Sequence, residues 1–61
     1  MELNIETLTD FFVKYANREF PYQRYGQAAC NYFDLLGDKY SYIFYEEDGA
    51  KASQMLVDLI L

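Results

Sequence analysis

The residues of this chain with the most obvious chemical potential are a run of carboxylates, Glu46, Glu47 and Asp48, and a single thiol, Cys30. Carboxylates can hold a divalent ion or act as an acid/base pair, and a thiolate is a nucleophile. Neither set is well placed for such work. Three consecutive side chains point in different directions on a helix or a strand, so a solvated run that favours the start of a following helix is the simpler reading. Cys30 falls in a helical pattern among apolar neighbours, without the cationic surroundings that lower a thiol pKa, and is expected in the core. The chain has no histidine, which removes the commonest general base and any Cys/His zinc site. No enzyme activity, cofactor or metal is expected.

What remains is recognition. Seven tyrosines stand among 61 residues with no tryptophan, more than a core this small can bury, because each buried hydroxyl needs a partner. Tyrosine is enriched in protein interfaces, where it offers large contact area at low conformational-entropy cost. Ten acids against five bases give a net charge of −5. No basic patch exists to neutralise phosphates, so direct binding of DNA or RNA is not expected. The residues singled out for a partner are Tyr42, Tyr45, Glu46 and Glu47, together with Arg24 and Gln27, read as an exposed polar pair three positions apart.

The elements that must position these residues are helical. Ile5, Leu8, Phe11, Phe12 and Tyr15 recur at steps of three and four, which predicts a helix over 5–18. Asn4 is its N-cap, with Thr7 and Asp10 as an alternative capping box. Pro21 suits the first turn of a second helix, 21–36, with Tyr22, Tyr25, Ala29, Tyr32, Phe33 and Leu36 on its apolar face and Gly37 as the residue that stops it. Gly26 inside this helix costs roughly 1 kcal/mol relative to alanine, so a close approach by another element is expected there. Asp48 is the N-cap of a third helix over 49–60, striped by Ala52, Met55, Leu56 and Leu59, and an apolar end at Leu61 is expected to dock.

The segment "YSYIFYEED", from Tyr40 to Asp48, is the ambiguous one. Aromatic and β-branched residues favour a strand, but no other segment is a convincing partner for it. The fold expected is therefore a small all-α, three-helix domain over 1–61 with an aromatic short helix or irregular piece at 39–46, Ile43 and Phe44 being buried. The alternative is α+β, with a strand at 40–45 that pairs in a homodimer.

"RYGQAACNYFDLL" followed by "FYEEDGAKASQMLVDLI" resembles a group of small bacterial and phage-encoded proteins with an R-x-G-Q-A-x-x-N element and a later F-Y-x-D-like turn. The matching positions are Arg24, Gly26, Gln27, Ala28, Asn31, Phe44, Tyr45 and Asp48. An aspartate–proline pair usually precedes the F-Y pair, and Tyr42–Ile43 takes that place here. The resemblance implies helices rather than a sheet and a mobile-element origin, and assigns no chemistry.

Two functions follow from these observations. The first is a small acidic protein-interaction module, such as a phage or prophage inhibitor or counter-defence factor, whose carboxylates mimic nucleic acid in the groove of a basic nucleic-acid-binding enzyme. The second is a self-assembling homodimer without a separate ligand. No apolar run approaches the ~20 residues needed to span a bilayer, and no secretory leader opens the chain. A cytoplasmic location without membrane contact is expected.

Overall fold

The computed structural model describes residues Met1 to Leu61 and contains helices and no strand. In chain order these are α1 (Ile5–Ala16), α2 (Tyr25–Tyr32), a 3-10 turn (Asp38–Tyr40), α3 (Ser41–Phe44) and α4 (Gly49–Ile60). The all-α expectation holds. The strand at 40–45 does not: that segment is the end of the 3-10 turn and α3, since no neighbouring strand is available to pair its backbone and its own carbonyls are satisfied within short helical turns.

α1 begins where a cap can hold it. The Asn4 side chain accepts from the Thr7 amide at 2.9 Å, and the Thr7 hydroxyl accepts from the Asn4 amide at 2.9 Å, so the two residues named as rival caps form one reciprocal capping box. The helix stops at Ala16 rather than 18. Arg18 takes a left-handed φ of 62°, the Glu19 amide reaches back to the Lys14 carbonyl, and the Arg18 amide to that of Tyr15. That is a Schellman ending built without glycine.

The second helix is half the expected length. It starts at Tyr25 because Tyr22 is left-handed, φ 69°, in the turn that follows Phe20 and Pro21. This turn lets Phe20 lie against Phe11 and Tyr32, at 5.2 and 5.9 Å between ring centroids, and it leaves Tyr22 fully in water. The helix ends at Tyr32 because Asp34, φ 56°, turns the chain, with the Leu35 amide bonded to the Cys30 carbonyl. Asp34 therefore stops α2, and Gly37 serves the next turn at φ 96°. A helix continued to 36 would carry residues 38–45 away from α2; the early turn folds them back across it.

α4 matches the expected 49–60, with the Asp48 carboxylate accepting from the Ala50 and Lys51 amides at 2.9 and 3.3 Å. Ile60 packs on the core, but Leu61 is exposed, so the final residue does not dock.

Phe11 is the centre of the core. It is completely buried, and the rings of Tyr15, Phe20, Tyr25, Tyr32 and Phe33 lie 5.1 to 6.1 Å from it. Leu8, Ile43, Ala52 and Leu56 close the remaining sides. Aromatic area in edge-on and tilted contacts replaces the aliphatic layers of a larger domain, which is how so short a chain fills an interior.

Candidate protein-binding face

α3 is one turn long, and an isolated turn has no helical stability of its own. Two residues of α2 hold it. At Gly26 an added Cβ would fall 1.9 Å from the Ile43 carbonyl oxygen and 3.0 Å from its carbon, so only glycine permits the approach. The close contact expected at Gly26 exists, and its partner is the backbone of α3. Arg24 supplies the second grip. It is the N-cap of α2 but its side chain does not cap; instead Nη2 donates to the Phe44 carbonyl at 3.1 Å. Its guanidinium carbon lies 5.9 Å from both the Phe44 and Tyr45 ring centroids, within range of a cation–π attraction.

Arg24 is thus half-buried and engaged within the chain, not half of an exposed pair, and Gln27 is also half-buried. Their spacing was legible; their neighbour was not, because nothing local in "RYGQ" announces that a segment twenty residues later will lie across it. Of the other residues singled out, Tyr42, Tyr45 and Glu47 are exposed and Glu46 is half-buried. Tyr45, 69% exposed, is held by Arg24 on one side and by an edge contact with Phe44, 5.0 Å between centroids, on another. Tyr42 is 51% exposed on the preceding turn.

Beside Tyr45 the surface dips into a cleft of about 270 Å³ between the end of α2 and the 3-10 turn, lined among others by Leu36, Asp38, Tyr40 and Ser41. Leu36, expected on a buried helix face, is 68% exposed at its edge, because α2 ends four residues before it. The early stop at Asp34 was the missed signal: Asp34 and Gly37 bracket a turn with two leucines inside it. Of the acids, Asp38 lines the cleft and Glu46, Glu47 and Asp48 follow Tyr45 directly in the chain; Asp48 also caps α4, and Asp34 pairs with the N-terminal ammonium at 3.4 Å. Lys39 is occupied over the Tyr40 ring, 5.1 Å from its centroid.

Cys30 lies in the wall of this cleft but is itself buried, with its Sγ 4.0 Å from the Tyr40 carbonyl. Burial pushes the thiol pKa up, so it stays protonated at neutral pH and is a poor nucleophile. No three His, Cys, Asp or Glu side chains come together as a metal-binding group, and no helix is long and apolar enough to cross a membrane.

A second, different concavity runs between the C-terminal half of α1 and the stretch of α4 from Gly49 to Val57. It is an open groove of about 580 Å³ walled by Phe12, Tyr15 and Ala16 on one side and Ala50, Ser53 and Val57 on the other. Tyr25 forms part of its lining; its hydroxyl is buried and has only the Ser53 side chain beside it, without a well-formed hydrogen bond. Burial pushes the Tyr25 pKa up, the neighbouring Ser53 side chain opposes this, and Tyr15 adds to it.

The chain matches no family model, no curated protein and no solved structure. Function is therefore read from these two surfaces.

Proposed function

We propose that this chain is a protein-interaction module that binds a basic partner protein through the α3 face. The observation that carries this reading is Tyr45, an aromatic ring mostly in water yet fixed by Arg24 and Phe44. An exposed ring that is already ordered loses little conformational entropy when it is covered, which is what an anchor residue requires. Leu36 and Tyr45 both line the cleft, which accepts a side chain of the partner, and Tyr42 extends the exposed apolar surface on the preceding turn.

The acidic fringe specifies the partner's charge. Asp38 lies at the cleft beside Tyr45, and Glu46, Glu47 and Asp48 follow Tyr45 directly in the chain; fields of opposite sign steer association and reject wrong partners. A groove built to hold nucleic acid offers such a basic surface, and a carboxylate-rimmed aromatic patch lodged in it would act as an inhibitor. In this chain Arg24 and Gly26 serve the site by positioning α3 rather than by touching the partner.

Affinity capture from the native cell extract tests the reading. A prey protein lost with both Tyr42→Ala and Glu47→Lys, with far-UV circular dichroism unchanged, supports it, and binding to that prey should weaken steeply with salt. Affinity equal at low and high salt rules out the charge-steered version.

A further inference from the structure

The groove between α1 and α4 stands apart from the rest of the surface because none of its nine lining residues is charged, in a chain of net charge −5. Phe12 rises from its rim with 57% of its area exposed, and Ile5 and Val13 leave further apolar surface on the same helix. We infer that this groove docks a second copy of the chain, the Phe12 ring of each protomer entering the groove of the other.

Three observations select that occupant. Two chains of charge −5 repel, so contact between copies is favoured where no lining residue is charged, as in this groove, whose one flanking α3-side carboxylate, Asp48, is already engaged as the α4 cap. A basic partner, conversely, gains nothing from an uncharged groove and is drawn to the acidic face. Second, a two-fold contact uses the same patch on both molecules; here the projecting ring and the concavity that would receive it lie side by side on one patch, so a single rotation pairs both. Third, only 11 of 61 residues are buried in the isolated chain, and association is the remaining way to enlarge the core of a domain with no disulfide or metal. The two acids next in sequence to the α4 wall are both engaged within the helix: Asp58 accepts from Gln54 at 3.0 Å, and Asp48, beside Gly49, accepts from the Ala50 and Lys51 amides at 2.9 and 3.3 Å.

The homodimer expected through a strand at 40–45 does not form in that way, since the segment is helical, and none of its residues lines the groove. A dimer joined at the groove carries two α3 faces, which raises avidity for a partner with repeated sites. The inference uses a surface separate from the proposed partner site, and each can fail alone.

Sedimentation velocity of the full chain from micromolar to millimolar concentration decides it. The wild type is expected at twice the 7.2 kDa chain mass. Phe12→Glu and Ala50→Glu, exposed positions on opposite walls, are each expected to weaken the dimer at least about tenfold by adding like charge, with far-UV circular dichroism unchanged. Tyr42→Lys, on the α3 face, is expected to leave it intact. A wild type that stays monomeric throughout, or a dimer that survives both groove variants, overturns the inference.

Discussion

The α3 face and the α1–α4 groove both expose apolar surface, yet they are held in place by opposite means. The groove is formed by two twelve-residue helices, each started by its own side-chain cap, Asn4 with Thr7 in one and Asp48 in the other. Its walls are local structures that would tend to form wherever they were packed. The α3 face rests on a single helical turn whose carbonyls are gripped from outside, Ile43 by the space at Gly26 and Phe44 by the Arg24 guanidinium. Its order is tertiary, and two residues of α2 account for most of it. A surface built in this way is ordered only while α2 holds it and is vulnerable to changes that leave the rest of the domain alone.

The sharpest way to break this contrast is Gly26→Ala. The new Cβ would collide with backbone, which cannot rotate away as a side chain can, and overpacking of this kind is expected to cost about 3 kcal/mol or more, measured by urea denaturation. In a domain this small that is a large part of the total. Arg24→Ala is next, at about 2 kcal/mol for a lost charge-assisted hydrogen bond, and it should raise hydrogen exchange through residues 41–46 before it affects α1 or α4. Arg24→Lys should not restore the loss, because a lysine ammonium lacks the planar fork that donates to Phe44 while lying over two rings.

On the groove side the expected sign reverses. Tyr25→Phe removes a buried hydroxyl that has no well-formed hydrogen bond, only the neighbouring Ser53 side chain, and should stabilise the fold by up to about 1 kcal/mol. It should also flatten the alkaline limb. The folded pKa of Tyr25 lies above its ordinary value of 10.0 and that of Cys30 above 9.0, so the native state holds these protons longer than the unfolded one. The stability they contribute is complete below those ordinary values and is lost as pH rises through the folded pKa values. Denaturation midpoints between pH 8 and 11 should fall less steeply in Tyr25→Phe and in Cys30→Ala than in the wild type. The smallest effects belong to the helix ends. Arg18→Gly beside α1 and Asp34→Gly beside α2 each relieve a left-handed backbone and should raise stability by about 0.5 kcal/mol, net of the extra freedom glycine gives the unfolded chain.

What could be read from the sequence follows the same division. α1 and α4 were legible to within two residues because their caps and apolar spacing are local, and the need for a close neighbour at Gly26 followed from its cost in a helix. The short second helix was only half legible: Asp34 belongs to a residue type that tolerates left-handed backbone and was a signal, whereas Tyr22 at φ 69° does not and no local preference announces it. Long-range packing hid the role of Arg24, which looked like a surface cation and is an internal clamp. Strand propensity at 40–45 was outweighed for a related reason, since a pleated segment had nothing to pair with whereas two helical turns could be gripped by α2. Tyr42 and Tyr45 were visible as surplus aromatics, but Leu36 emerged at the cleft only once the helix had ended early.

The central claim, that the partner surface is the α3 face with Tyr45 as its anchor, is tested most directly by parallel affinity capture from native extract on the wild type, Tyr45→Ala and Phe12→Glu. The account predicts a prey that Phe12→Glu retains and Tyr45→Ala loses, with affinity lower by on the order of 2 kcal/mol, about thirtyfold in Kd. A prey that binds Tyr45→Ala as tightly as the wild type would contradict it.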